Sequence, residues 1–216
     1  MTAPDCSKTL VIYGAGGLGR EVLDVVLARA DGYADLLFAD DGLAPETIVA
    51  GHRVLGGFDA LSDLRRETTS VVIAVGKPPI RARIWRRVRE AGFAPATVVD
   101  PTAVVRPSAI LQPGCVVGAH AFVSCGAVVG ENVVINAGAV VSHDVEIGPH
   151  SIVQPLATVL GGARVGEAAE IGAAASVMIG RRVADHAKIA MGAVAFANVR
   201  PDVTVVGNPA RTMFQG

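Results

Sequence analysis

Two short stretches of this chain bring together groups that can do chemistry. The first is Ser142-His143-Asp144-Val145, where an imidazole stands beside a carboxylate. Acyl transfer from a thioester to an amine needs a group that takes the amine proton as the tetrahedral intermediate forms, and imidazole does this near neutral pH. The plain alternative is a surface histidine, since His52, His120, His150 and His186 show how ordinary one is here. The second stretch is Gly14-Ala-Gly-Gly-Leu-Gly19, with Asp40-Asp41 about twenty residues later. Glycines at Gly14-x-Gly16-x-x-Gly19 spacing let backbone N–H groups approach a phosphate at a helix N-terminus, and alone they read as a dinucleotide turn.

The elements that must hold these groups follow two organisations. From residue 9 to about 96, strand-like and helix-like segments alternate. Thr9–Tyr13 is a short apolar run before the glycine turn, and a helix opening at Arg20 carries Val22, Val25 and Val26 at helical spacing. Leu36–Ala39 ends in Asp40-Asp41, and Val71–Val75 ends in Gly76-Lys77. Both read as buried strands of a small parallel sheet. Ile80–Ala91 reads as a solvated basic helix with Arg81, Arg83, Arg86, Arg87 and Arg89 around Trp85.

Beyond Ala96 the helical period gives way to a period of six. Val99, Val105, Leu111, Val117, Val123, Val129, Ile135, Val141, Ile147, Val153, Val159, Val165, Ile171, Val177, Val183 and Ile189 are all aliphatic. Four residues after each stands Ala, Ser, Cys or Val, with Arg181 the exception. Each hexad reads as one short strand and a corner, its aliphatic residue inside a narrow column and its small residue beside the turn. The third and fourth hexad places, where His143 and Asp144 stand, then lie at a coil edge, because an inward polar group would spoil the core. Successive strand residues point to opposite faces, so Asp144 reaches the His143 ring only if the corner breaks that alternation. The expected fold is α/β plus all-β: a Rossmann-like domain over residues 1–96, then a parallel β-helix over 97–216 with Val199–Gly216 as cap or tail.

Composition narrows the functions. The 216 residues carry 19 basic and 20 acidic side chains for a net charge of -1, so there is no electrostatic footprint for nucleic acid or an anionic membrane. The short polar start and the lack of any apolar run of about 20 residues lead to an expectation of a cytoplasmic protein with no membrane partner. Cys6, Cys115 and Cys125 form no CxxC pair and are expected to be buried small residues, with no metal site.

The hexads, followed by Val205-Val-Gly-Asn-Pro-Ala-Arg211, resemble the left-handed β-helix hexapeptide acyltransferases over residues 99–211. With Gly14–Gly19, Asp40-Asp41 and Ile73-Ala-Val-Gly76 in front, the chain is similar to the sialic-acid O-acetyltransferase-like subgroup. That subgroup includes N-acetyltransferases of nucleotide-linked 4-amino-4,6-dideoxy sugars. The resemblance implies a three-sided, left-handed prism of eighteen-residue coils and a homotrimer with sites between subunits. It also implies acetyl-CoA as acyl donor, and a GDP-perosamine or UDP-bacillosamine-type sugar as acceptor for O-antigen or other glycan synthesis. His143 becomes the general base that removes the amine proton during direct attack on the thioester, without an acyl-enzyme, and Asp144 its orienting partner or a sugar contact. Gly16, Gly17, Leu18, Asp40, Asp41, Gly76 and Lys77 line the nucleotide-sugar pocket. Ile152, Gly161, Ala173, Met191 and Gly192 meet the pantetheine arm, and Arg181 and Arg211 its phosphates. The alternatives are O-acetylation of a sialic-acid-type sugar and a non-catalytic β-helix scaffold.

Overall fold

A computed structural model of the chain describes residues 8–213. It separates into two compact units that divide after Pro101. The expectation for Cys6 lies outside the described residues.

The first unit is built on a four-stranded parallel sheet. Its strands are β1 (Thr9–Tyr13), β2 (Asp35–Ala39), β5 (Thr69–Ile73) and β6 (Ala94–Pro95), in the order β2-β1-β5-β6. A small hairpin of β3 (Ile48–Val49) and β4 (His52–Arg53) lies between β2 and β5 in sequence. Helix α1 (Gly17–Arg29) packs on β1 and buries Val22, Leu23 and Val26. Helix α2 (Pro78–Glu90) brings Ile84, Trp85 and Val88 into one core with Val11, Tyr13, Val71 and Ile73. Helix α1 starts three residues before the expected Arg20, because Gly16 serves as its N-cap and Gly17 is already helical. Arg81 corrects the reading of a wholly solvated basic helix. It is fully buried, and its guanidinium donates to the carbonyls of Ile73 at 2.9 Å and Val75 at 3.3 Å. A buried charge is tolerated only with such partners.

The second unit is a parallel β-solenoid of two-residue strands stacked on three faces. Face one carries Val116–Val117, Val134–Ile135, Ile152–Val153, Glu170–Ile171 and Lys188–Ile189. Face two carries Val104–Val105, Phe122–Val123, Val140–Val141, Thr158–Val159, Ser176–Val177 and Val194–Ala195. Face three carries Ile110–Leu111, Val128–Val129, Glu146–Ile147, Arg164–Val165 and Arg182–Val183. Partners on every face stand eighteen residues apart, as Val117 to Ile135 and Val141 to Val159 do, so three hexads make one coil. From Val117 to Ile189 every key aliphatic residue is buried, and so is the small residue at each corner except exposed Arg181. Cys115 is buried as expected, whereas Cys125 is exposed because it stands at a corner tip rather than at the small-residue place.

The corners share one backbone device. Every sixth residue from Gly114 to Gly192 has a positive φ. Eight of these are not glycine: His120, Asn132, Asp144, His150, Leu156, Ala168, Ala174 and His186. A left-handed side-chain-bearing residue costs about 1–2 kcal/mol. The cost is offset by hydrogen bonds: from Asn132 onward such a residue donates its N–H to the carbonyl nineteen positions earlier, whereas His120 donates to the Thr102 hydroxyl at 3.0 Å. Asn132 donates to Pro113 at 2.9 Å and His186 to Glu167 at 2.8 Å. The tail Thr204–Val206 extends face one from Lys188–Ile189, and antiparallel Arg211–Thr212 pairs with its outer side, which covers an open sheet edge.

Filling by single side chains makes the column sensitive to volume. Ile135→Ala should cost about 2–5 kcal/mol through the cavity it leaves. Ala157→Leu should cost about 1–3 kcal/mol through overpacking. Urea unfolding followed by circular dichroism reads both, and wild-type midpoints would contradict the column.

Candidate active site

His143 and Asp144 occupy the corner between faces two and three. His143 Nδ1 lies 2.9 Å from Asp144 Oδ2, and both side chains are largely exposed, 64% and 73%. The geometry answers the alternation problem. Asp144 has φ 58, so its side chain does not point away from that of His143 as it would on a continuous strand, and the carboxylate turns back to the ring. The Asp144 N–H holds the corner by donating to Cys125 at 3.1 Å. A carboxylate only accepts, so in the neutral ring Nδ1 carries the proton and Nε2 keeps its lone pair. This is the arrangement a general base requires.

Two glycines make room for the pair. A Cβ on Gly126 would lie 2.5 Å from Asp144 Oδ1, and a Cβ on Gly161 would lie 2.5 Å from both Cε1 and Nε2 of His143. Gly162 N–H donates to the His143 carbonyl at 2.9 Å, which fixes the coil carrying Gly161 against the one carrying His143. Cys125 stands on the opposite neighbouring coil. The Cys125 thiol is met there by the Ser124 hydroxyl at 3.9 Å.

The residues expected to contact an acyl donor fall at different places on the prism. Gly161 and exposed Arg181 share the His143 edge, Gly180 N–H donating to the Gly161 carbonyl at 3.0 Å. Ala173, Met191 and Gly192 stack on the edge between faces one and two, where Gly192 N–H donates to Ala173 at 2.8 Å and Met191 is 79% exposed. Ile152 is buried on face one, and Arg211 is exposed in the final strand. One face separates the Ala173–Met191 edge from the His143 edge. Face three, which leaves the His143 corner, bears a cavity of about 360 Å³ lined in part by Glu146, Arg164 and Arg182, with Arg164 and Glu146 paired at 3.3 Å. Neither Arg164 nor Arg182 stands out in the sequence; their common feature, the strand place before a key aliphatic residue, becomes visible only once coils are stacked.

In the first unit, the residues expected to hold a nucleotide sugar gather at the carboxyl edge of three adjacent strands. Tyr13 pairs with Ala39 on one side and with Ile73 on the other, so the turns after β1, β2 and β5 leave together. Gly16 and Lys77, the N-caps of α1 and α2, make no side-chain cap, and Cβ atoms on Gly16, Gly17 or Gly76 would meet nothing within 4 Å. Backbone there is open to a ligand. Gly14, with φ +108, and Gly19 are structural: a Cβ on Gly14 would lie 2.6 Å from the Ala74 carbonyl, and one on Gly19 would strike the Gly14 carbonyl. Leu18 is half-buried. Asp40 is occupied in building the turn, accepting from Ala15 N–H at 2.9 Å and Gly42 N–H at 2.8 Å. Asp41 accepts from the Tyr13 hydroxyl at 2.7 Å and Phe58 N–H at 3.1 Å. A cavity of about 280 Å³ lies between Asp41, Gly57, Phe58, Asp59, Ala60 and Arg87, whose guanidinium sits 3.9 Å from the Phe58 ring centre. The sequence reading passed over Gly57 and Phe58, although Gly56-Gly57 marks a tight turn there. Among the described residues, no group of three or more His, Cys, Asp or Glu is placed to hold a metal ion.

Residues 9–88 match the PglD N-terminal domain, and residues 126–161 match the bacterial transferase hexapeptide of six repeats. The chain is similar to the acetyltransferase domain of PglB from Neisseria gonorrhoeae at 32% identity and a TM-score of 0.90, covering 95% of this chain and 100% of that one. The same domain in complex with acetyl coenzyme A matches at 31% identity, a TM-score of 0.90, and 96% and 100% coverage. PerB from Caulobacter crescentus, in complex with CoA and GDP-perosamine, matches at 30% identity and a TM-score of 0.88, over 95% of this chain and 97% of that one. No curated protein matches the chain.

The Tyr13–Asp41 contact has a pH consequence. Burial, then the hydrogen bond and the negative charge of Asp41, push the Tyr13 phenol well above its ordinary value. The native state therefore keeps the proton while the unfolded chain loses it, so the contribution is full below about pH 10 and falls as pH rises beyond it. Tyr13→Phe should flatten that alkaline loss in thermal melts, and an unchanged alkaline slope would contradict it. Asp40→Ala should cost about 1–3 kcal/mol by leaving the Ala15 N–H unmatched, read as a lower urea midpoint.

Proposed function

For a chain that belongs to the hexapeptide-repeat transferases, the left-handed β-helix acyltransferases, and carries a PglD-type N-terminal domain, we propose an acetyl-CoA-dependent sugar N-acetyltransferase. Its acceptor is the C4 amine of a nucleotide-linked 4-amino-4,6-dideoxy sugar, with GDP-perosamine first and a UDP-linked bacillosamine-type sugar second. The observation that carries this reading is the His143 ring with Nδ1 engaged by Asp144 and Nε2 left basic on an exposed edge. Support comes from the relatives. One is known with acetyl coenzyme A, and the Caulobacter enzyme is known with CoA and GDP-perosamine in forms whose histidine is replaced by alanine or asparagine.

The reaction runs by direct attack. The sugar amine adds to the thioester carbonyl as Nε2 of His143 takes its proton, forming the C–N bond. The tetrahedral intermediate collapses, the C–S bond breaks, and the imidazolium returns the proton to the departing thiolate. Asp144 stabilises the transient imidazolium through Nδ1. Gly16, Gly17, Leu18, Gly76 and Lys77 hold the nucleotide sugar by open backbone and one cation, while Asp40 and Asp41 shape that edge. Ile152, Ala173, Met191 and Gly192 receive the pantetheine arm, and Arg181 and Arg211 its phosphates. Since the Ala173–Met191 edge and the His143 edge are one face apart, an acyl donor touching both is held between two copies, in a homotrimer. Face two, which separates these edges, offers the uncharged outward row Val104, Phe122, Val140, Thr158, Ser176 and Val194. The product is an activated N-acetyl sugar for a surface glycan such as O-antigen, made in the cytoplasm alongside acetyl-CoA.

Thiol release from acetyl-CoA, measured against GDP- and UDP-linked 4-amino sugars with hydroxyl analogues as controls, tests the acceptor class. Turnover with an amino sugar is expected, and acceptance of hydroxyl analogues alone would overturn N-acetylation. His143→Asn should lower kcat by at least about 100-fold while the assembly stays intact, as loss of a general base does. Full activity in that variant would remove the mechanism.

A further inference from the structure

We infer that Gly161 is a positioning residue for His143: the missing side chain at this one corner is the seat on which the imidazole rests. This rests on His143 being the base proposed above. The Cε1–Nε2 edge of the ring fills the place a Cβ on Gly161 would take, 2.5 Å from both atoms, with Cδ2 at 3.2 Å. Gly161 is consequently buried although it stands on an outer edge, while Gly162 beside it is exposed.

The backbone gives no competing reason for glycine. The left-handed residue of this corner is Gly162, with φ +65, and Gly161 lies outside the positive-φ region. In the other fifteen hexads the same place carries Pro, Ala, Cys, Glu, Ile, Asp, Met or His143 itself. Among the sixteen hexads only residue 161 is glycine at this place. The coil therefore tolerates side chains there, and the one position without any is the neighbour of the imidazole. Gly126, which clears space for Asp144 Oδ1, differs in that its own φ of +69 already favours glycine.

A methyl group at residue 161 has to displace the ring, since a Cβ cannot share space with Cε1 and Nε2 at 2.5 Å. The Asp144 contact and the Nε2 direction change together, while the backbone that holds substrates does not. An ångström-scale misplacement of a reacting group costs up to about 100-fold in rate.

The test is a double-mutant cycle on the full chain. Gly161→Ala should lower kcat by about 10- to 100-fold, leave KM for acetyl-CoA and for the amino sugar within about twofold, and leave the melting temperature near wild type. In a His143→Asn background, Gly161→Ala should cause no further loss, because the ring it displaces is gone. Gly161→Ser, a slightly larger group, should repeat the pattern with an equal or greater loss. Unchanged kcat in Gly161→Ala overturns the inference, as does an equal loss in both backgrounds. A rise in KM for acetyl-CoA at constant kcat also overturns it, by making Gly161 a donor contact. Failure of the base assignment is separately visible, as full activity of His143→Asn alone.

Discussion

A column of aliphatic side chains, one per six residues, closes into a three-sided coil only if the chain turns sharply at every corner. In this protein the turn is made by a residue with positive φ, repeated every six residues from Gly114 to Gly192. Everything in the second unit follows from that constraint. It brings strands eighteen residues apart into parallel register, it aligns corner residues into edges, and from Asn132 onward its backbone hydrogen bonds run from each corner to the carbonyl nineteen positions before. The same constraint makes chemistry available at the edge, because a left-handed residue lets two adjacent side chains meet. At Asp144 it turns a carboxylate that a strand would send away into the partner of His143.

The first unit obeys a different rule. A parallel sheet sends its connections out at the carboxyl ends of its strands, and ligands in such folds bind where those connections diverge. Here β1, β2 and β5 end side by side, so the glycine turn, the Asp40-Asp41 pair and Gly76-Lys77 share one edge. The two carboxylates build this edge: Asp40 ties down Ala15 and its own turn, and Asp41 holds Tyr13 and Phe58. What remains open on that edge is backbone, at Gly16, Gly17 and Gly76.

Much of this was legible in the residues, for physical reasons that differ by element. The hexads announce themselves because a column of fixed width accepts one class of side chain at a fixed interval, from Val117 to Ile189. Strands β1, β2 and β5 are continuous apolar runs because both faces of the sheet are covered. The period alone could not give the number of faces, which depends on which coils pair. Nor could it show that Asp144 is left-handed, since glycine advertises that conformation and aspartate does not. Arg81 looked like its solvated neighbours because helical spacing does not reveal that one arginine faces the carbonyl ends of β5. At Gly161 the hexad place reads as a close approach for a cofactor, and only the stacked coils show that the imidazole of His143 also fills the space beside it.

The Asp144 corner fixes the His143 tautomer, with the proton on Nδ1 and the lone pair on Nε2. Nitrogen-15 spectroscopy of labelled histidine reads this directly, with the His143 signals assigned by their loss in His143→Asn. A protonated Nδ1 and an unprotonated Nε2 are expected in the neutral ring, reverting towards the Nε2–H form when Asp144 is replaced by alanine. A His143 ring that carries its proton on Nε2 in the unaltered protein would contradict it.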